Sequence, residues 1–323
     1  MNDILYLVVP CYNEQEVLPE TAKRLKEKFT ALQSAGLIEA RSRILFVNDG
    51  SKDSTWQIIA SLHQADPLFA GLSLSCNRGH QNALLAGLLY AKEHADMIIS
   101  MDADLQDDID AIDRMLEKYN EGCDIVYGVR SSRKKDSFFK RATAEGFYNT
   151  MNFLGAKTVY NHADYRLMSR RAVEALALFG EKNLFLRGIV PMLGFRSDIV
   201  YYERSARFAG ESKYPVRKMI SFALDGITSF SSKPIRYVFL LGALIFTASI
   251  GMLIYFIIRW AMGATVTGWA STICSIWAIG GLIMLSLGLI GEYIGKIYIE
   301  TKQRPNFIIE ELLNDAEKNK DED

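Results

Sequence analysis

Concentrated positive charge is missing from this chain: its 323 residues carry 37 Lys and Arg against 38 Asp and Glu, a formal net charge of -1. Nucleic-acid binding draws on clustered basic charge, so no nucleic-acid partner is expected, and any anion site must be local. Cysteine is scarce and scattered. Cys11, Cys76, Cys123 and Cys274 fit no zinc or redox spacing and imply no disulfide framework, which reads as reduced thiols in a cytosolic compartment. A secretory signal is absent from the first ten residues, which lack a basic region, an apolar stretch and a small-residue cleavage site in that order. They begin like a buried strand instead.

Apolar residues, by contrast, are concentrated in two long uncharged runs after Arg236. The first extends from Tyr237 to Ile258, about the 20 residues that a helix needs to cross a bilayer. The second is uncharged from Trp260 through Gly291, with Trp260, Trp269 and Tyr293 where interfacial aromatics belong. Two spans, about 237–258 and 270–291, therefore form a transmembrane hairpin within 233–300. Lys233 and Arg236 precede it and Lys296, Lys302 and Arg304 follow, while the connection offers only Arg259. Positive flanks stay inside, which places both termini in the cytoplasm and the chain in the cell membrane as a multi-pass protein. The tail 301–323 is expected to be cytoplasmic, and from about Glu310 onward a frayed helix or disordered.

The first two-thirds alternates between two periodicities. Ile4 to Val9 and Arg43 to Asn48 are continuous apolar runs stopped by Pro10 and by Asp49-Gly50, as buried parallel strands are. Between them Val17, Leu18, Leu25, Phe29 and Leu32 recur at helical spacing. The pattern continues with a helix over 54–64, a strand over 72–74, a helix over 81–94 and a strand over 97–101. A doubly wound α/β sheet follows, with ligands expected beyond the carboxyl ends of its strands. Those ends carry Tyr12 to Glu14, Asp49 to Ser51, Asn77 to Gly79 and Asp102 to Asp104.

Asp102-Ala-Asp-Leu-Gln-Asp107 directly follows an apolar strand, so two carboxylates and an amide emerge together. Hard divalent cations take such oxygens, and Mg²⁺ or Mn²⁺ held this way completes its shell with diphosphate oxygens. The glycine-rich first turn of a dinucleotide-binding sheet is lacking: Pro10-Cys-Tyr-Asn-Glu14 stands there instead, which disfavours a dehydrogenase.

Taken in order, Val9-Pro-Cys-Tyr-Asn-Glu14, Val47-Asn-Asp-Gly-Ser-Lys-Asp53, Asn77-Arg-Gly79, Asp102-Ala-Asp-Leu-Gln-Asp107, Ala163-Asp-Tyr-Arg166 and Arg207-Phe-Ala-Gly-Glu-Ser-Lys-Tyr214 resemble the signatures of the family 2 glycosyltransferases. The likeness is to the branch of polyprenyl-phosphate (bactoprenol) glucosyltransferases and dolichol-phosphate mannose synthases, and it covers nearly the whole chain. It implies a GT-A (Rossmann-like) catalytic domain over 1–210 and an inverting transfer of a hexose from a nucleotide sugar to a polyprenyl phosphate. UDP-glucose is the donor favoured by the hairpin anchor, with UDP-N-acetylglucosamine and GDP-mannose as alternatives. Pro10, Tyr12, Glu14 and Asp49 match nucleotide-binding positions. Asp104 and Gln106 match metal ligands, and Asp102 matches a diphosphate-end position, read both as part of the metal site and, with Asp164, as catalytic. Asp164 matches the proposed catalytic base, in what should be a loop. Arg130 matches a phosphate-contacting position, and Arg141, Arg207 and Lys213 are further candidates for the acceptor phosphate.

A phosphate monoester is largely a dianion at neutral pH, so the acceptor needs little deprotonation and Asp164 has more to orient than to abstract. A carboxylate beside that dianion calls for cations nearby. The basic run Arg130 to Lys135 also suits docking on an anionic bilayer surface. His80 and His162 fit no metal spacing and are assigned no role. Residues 215–230 alternate as an amphipathic helix, so 211–232 is read as an interfacial segment on the lipid bilayer. A processive polysaccharide synthase is disfavoured by the absence of a Gln-x-x-Arg-Trp signature, and a non-catalytic membrane scaffold by the intact carboxylates. The sequence leaves open both the sugar and a homo-oligomeric state.

Overall fold

The computed structural model describes residues 3–131, 162–182, 184–203 and 269–314, with scattered positions between 235 and 262. By its contacts the chain divides into two units, the first made of 1–148, 157–215 and 304–323 and the second of 149–156 and 216–303.

The first unit is built on one sheet of eight strands: β1 (Leu5–Cys11), β2 (Arg43–Asn48), β3 (Phe69–Leu74), β4 (Met97–Ser100), β5 (Ile125–Arg130), β6 (His162–Ser169), β7 (Ser197–Tyr202) and β8 (Ile309–Leu313). The spatial order is β7-β5-β6-β4-β1-β2-β3-β8. Strands β4, β1, β2 and β3 run parallel. All are buried along their length except at Arg43, the first residue of β2, which explains why they read as apolar runs. Strand β6 is antiparallel to both β4 and β5, and β7 is parallel to β5. The expected α/β sheet is therefore present and is mixed.

Among the described residues the unit's helices are α1 (Leu18–Ser34), α2 (Thr55–Ala65), α3 (His80–Ala91), α4 (Ala111–Asn120), α5 (Arg170–Ala177) and α6 (Leu186–Met192). In α1, Leu18, Ala22, Leu25, Phe29 and Leu32 are buried at alternating intervals of four and three residues, so one stripe faces the core. Helix α3 lies closer to the sheet. A Cβ on Gly87 would stand 2.3 Å from Val8 Cγ1 and 2.8 Å from Val47 Cγ2. From β1 the chain winds outward through β2 and β3, then returns to β4 on the other side of β1. That reversal is a topological switch point, where the carboxyl ends of β1 and β4 open a crevice.

Two expectations are corrected. Ile309–Leu313 is a strand, antiparallel to β3 at the sheet edge, rather than part of a frayed tail. Its Glu310 and Glu311 gave it the composition of a solvated tail, but charged residues are what an edge strand tolerates. Ser75 N donates to Ile308 O (3.0 Å), Trp56 Nε1 to Glu311 Oε2 (2.9 Å), and Asn314 Nδ2 to the Tyr90 hydroxyl (2.7 Å). Asp164 sits inside β6 rather than in a loop. The charges at Asp164 and Arg166 hid that strand, because each neutralises the other in the buried interior.

In the second unit, α7 (Trp269–Lys302) contains the second expected span and continues past it. Within it, Ile279–Lys302 is long and apolar enough to cross a membrane. The positions described between 235 and 258, where the first span was expected, are helical. The whole interfacial segment 211–232, with Arg141, Arg207 and Lys213, lies outside the described residues.

Candidate active site

The loops after β1 and β2 are stitched together. Ser51 Oγ accepts from Asn13 N (3.0 Å), Asn13 Oδ1 from Lys52 N (2.9 Å), and Gln15 Oε1 from Ser54 N (3.1 Å). Asn13 has a positive φ of 55°, which an Asn tolerates in such a turn. Tyr12 is exposed at 39%, ready to offer an aromatic face. Glu14 is half-buried, with its backbone N donating to Thr55 Oγ1, and Pro10 is buried within β1 opposite Val47.

Asp49 is also turned inward. Its two oxygens accept from Arg78 N (2.7 Å) and Gly79 N (2.9 Å), so the carboxylate fixes the turn that opens α3. Burial pushes its pKa up and these two backbone donors pull the other way. Gly50 is indispensable to the same arrangement: its φ is +62° and a Cβ would meet Asn77 N at 2.5 Å.

That turn delivers His80, at the start of α3, to the centre of the crevice. Its Nε2 stands 3.6 Å from Asp102 Oδ1 and 3.6 Å from Asp164 Oδ2. Register brings the two carboxylates near: β4 and β6 pair Ser100 with Arg166 where β4 ends, and Asp102 and Asp164 stand two residues beyond that pair, both within 3.6 Å of His80 Nε2. Burial draws the His80 pKa down, but the Asp164 and Asp102 carboxylates outweigh it and hold it above its ordinary value.

Asp164 is nearly buried and heavily engaged. Arg166 Nη2 donates to its Oδ1 (3.0 Å), and Arg187, from the first turn of α6, brackets both oxygens through Nε (3.2 Å) and Nη2 (2.9 Å). Burial alone would raise its pKa; Arg187, His80 and Arg166 together hold it well below the usual carboxylate range. It is thus a committed anion. Arg166 is wholly buried, with Nη1 reaching Leu186 O at 3.5 Å. None of His80, Arg166 and Arg187 was assigned a role from the sequence, although Arg166 stood within a quoted motif.

The acidic loop after β4 holds Asp102, Asp104, Gln106 and Asp107 within six residues. Gln106 N donates to Asp104 Oδ1 (3.2 Å), and Leu105 has φ 55°, a left-handed turn that folds the loop back on itself. Burial, with Asp164 and Asp104 behind it, pushes the Asp102 pKa up against the pull of His80. Asp107 is buried below the loop, its Oδ1 accepting from the Tyr202 hydroxyl (2.5 Å) and lying 3.8 Å from Arg130 Nη2. Burial, then the Asp102 charge, lift its pKa to about 6. Arg130 therefore ends β5 at the rim of this same acidic loop.

Among the described residues, no three His, Cys, Asp or Glu side chains converge to enclose a cation. The oxygen donors of Asp102, Asp104 and Gln106 fit a hard divalent ion that draws the rest of its shell from water and a ligand's phosphates. A second cavity, about 530 Å³, opens at the opposite ends of the strands, where Asp96 and Asp124 are already paired with Arg170 and Arg171.

Glycosyl transferase family 2 matches residues 6–177. The chain is 55% identical to the uncharacterized glycosyltransferase YkoT of Bacillus subtilis (strain 168), over 97% of this chain and 93% of that protein. It is 42% identical to the prophage bactoprenol glucosyl transferase homolog of Escherichia coli (strain K12), over 95% and 98%. It is 43% identical to the bactoprenol glucosyl transferase of Shigella phage SfV, over 94% and 97%. Among solved structures, mannosyl-3-phosphoglycerate synthase from Rubrobacter xylanophilus aligns at 17% identity with a TM-score of 0.49, over 70% of this chain and 73% of that one. By its matched domain and its full-length relatives, the chain belongs to glycosyl transferase family 2.

Proposed function

We propose that the chain transfers a hexose, glucose from UDP-glucose in the first place, to undecaprenyl phosphate or a similar polyprenyl phosphate at the cytoplasmic membrane face. One observation carries the reading: His80 stands 3.6 Å from both Asp102 and Asp164, so an acidic loop and a guanidinium-bearing cluster share one crevice. Two anionic substrates need such a pair of environments. The printed names of the full-length relatives point to glucose and to a bactoprenol carrier.

The donor's base and ribose are assigned to the exposed face of Tyr12 and the neighbouring Glu14, with Pro10 and Asp49 holding the strand end and turn behind them. Its diphosphate lies against the acidic loop, where Asp104 and Gln106, with Asp102, would hold Mg²⁺ or Mn²⁺. Bound there, such an ion would supply neutralisation of the charge growing on the leaving diphosphate. An acceptor phosphate oxygen then attacks the anomeric carbon from the opposite face. The new C–O bond forms as the bond to the diphosphate breaks, its electron pair leaving with the nucleotide, so the configuration inverts. No proton must move when the acceptor is a dianion. Asp164, already ionised and braced by two arginines, orients the site rather than collecting a proton.

The membrane arrangement follows from β8. Residues 309–313 are hydrogen-bonded into the catalytic sheet, so they lie on the same side of a membrane as β1–β7. The chain between 203 and 304 must then cross an even number of times, which supports a hairpin of α7 with the 237–258 run. In this reading the chain comprises a catalytic domain over 1–210 to which β8 adds a strand, an interfacial segment over 211–232 and a hairpin within 233–300.

The test is transfer of labelled sugar from UDP-glucose, UDP-N-acetylglucosamine or GDP-mannose to undecaprenyl phosphate in detergent, with Mn²⁺ or chelator. The expected result is transfer from UDP-glucose, abolished by chelator and lowered at least about 100-fold by Asp104→Ala, as losing a positioned electrostatic group does. Turnover of another donor would rename the sugar. No turnover of any donor would sink the reading and favour a scaffold that only binds nucleotide sugars.

A further inference from the structure

We propose that His80 is a positioning residue that ties Asp102 to Asp164 through one shared N–H, so that the donor side of the crevice and the acceptor side do not bind independently; this deepens the glycosyl-transfer reading and rests on it. A single ring atom, Nε2, stands 3.6 Å from a carboxylate oxygen on each side. Facing two carboxylates, that atom carries its hydrogen, because a lone pair there would be repelled by both. At 3.6 Å neither contact is a hydrogen bond, yet both fall within ion-pair range. One hydrogen points at one acceptor at a time, so closing on either aspartate leaves the other without it.

The two carboxylates depend on this atom unequally. Asp164 also receives Arg166 Nη2 at 3.0 Å and Arg187 Nη2 at 2.9 Å. Asp102 has, among the described residues, His80 alone at ion-pair distance. Asp102, Asp104 and Asp164 thus stand against Arg166, Arg187 and His80, a near balance in which the distinctive contribution of His80 is its reach to both sides.

Backbone bonds fix where the ring sits. The turn before it is held by the two Asp49 oxygens on Arg78 N and Gly79 N, Gly79 takes a φ of +87°, and Asn82 Nδ2 returns to Arg78 O (2.8 Å). On its other side Gln81 Oε1 accepts from Leu186 N (2.8 Å), tying the head of α3 to the start of α6. The His80 side chain nonetheless keeps 38% of its surface open, so it is no core histidine satisfied by packing. A ligand that engages Asp102 takes that carboxylate out of the sharing and leaves the N–H to Asp164. There it offsets the repulsion between the Asp164 carboxylate and an arriving phosphate dianion, and the acceptor is received better once the donor side is filled.

The experiment measures equilibrium binding of farnesyl phosphate, a short polyprenyl monophosphate, to the full-length chain in detergent, with farnesol as the headgroup-free control. Binding is compared with and without saturating UDP and Mn²⁺ in wild type, His80→Ala and His80→Gln at matched melting behaviour. In wild type, UDP with Mn²⁺ should tighten farnesyl phosphate about 5-fold or more, and in His80→Ala that ratio should fall to within about twofold of unity. A residue that only held the fold together would lower stability without moving the ratio. His80→Gln keeps an N–H donor of similar reach and should retain an intermediate ratio; if the Ala variant does not fold, this partial loss carries the test.

An unchanged ratio in His80→Ala would overturn the proposal, since the two sides would then be coupled by the ligands themselves. A wild type whose ratio is already near unity, or that fails to bind either ligand, would overturn it as well. Sugar transfer by wild type separates the two readings. Transfer with a ratio indifferent to His80 keeps glycosyl transfer and retires the role of His80, whereas a His80-dependent ratio without transfer retires glycosyl transfer and leaves the coupling standing.

Discussion

Asp107 is the side chain in this crevice whose charge is least comfortable. Only 4% of the residue is exposed, and its Oδ2 finds no hydrogen-bond partner while Oδ1 is taken by Tyr202. Burial and then Asp102 raise its pKa from the ordinary 3.8 to about 6. Folded protein therefore holds this proton more tightly than unfolded chain. The stabilisation is complete below pH about 4 and is lost as pH rises through about 6. Asp107→Asn removes the ionisation and keeps an oxygen for Tyr202. In chelator, its melting temperature should exceed that of wild type at pH 7.5 and converge with it near pH 4; a constant difference across that range would show that the charge is not the cause. The residues of the acidic loop were legible in the sequence because they are contiguous. His80, Arg166 and Arg187 were not recognised, since each has ordinary neighbours and acquires its meaning only where α3, β6 and α6 meet.

Helix α3 shows how an element carries precision to the site. Gly87 lets it settle onto β1 and β2 so closely that a single added methyl would lie 2.3 Å from Val8 Cγ1. Both partners are buried in the sheet, so neither moves away freely. Gly87→Ala should cost about 1 to 3 kcal/mol as overpacking. It should lower the urea midpoint at an unchanged slope and, by lifting α3, displace His80 and Gln81 and reduce kcat. A variant as stable as wild type would mean that the helix relaxes without strain. The parallel strands β1, β2 and β4 were legible because burial on both faces writes a continuous apolar run. Strands β6 and β8 were not: one hides paired charges in its interior, and the other has the charged composition of an edge. Periodicity reports burial, and neither strand buries its residues in the ordinary alternation.

At the scale of the whole molecule the C-terminal strand has a consequence that composition did not suggest. Hydrogen bonds from β8 and its neighbours to β3, Trp56 and Tyr90 require residues 308–314 to share a compartment with the catalytic sheet. Any membrane topology with an odd number of crossings between 203 and 304 would tear those bonds. The prediction can be read with introduced cysteines in a Cys76→Ser, Cys274→Ser background, because Cys76 is exposed and Cys274 lies in α7, while Cys11 and Cys123 are buried. Glu27→Cys on α1 and Glu310→Cys on β8, both exposed, should resist a membrane-impermeant maleimide in intact cells and react after permeabilisation. Met262→Cys, 76% exposed between the two apolar runs, should react from outside before permeabilisation. Labelling of Glu310→Cys from outside would separate β8 from β3 by a bilayer, and with it the closed eight-stranded sheet would have to be abandoned. Protection of all three positions in intact cells would instead leave the sheet intact and remove the hairpin, since an even number of crossings includes none.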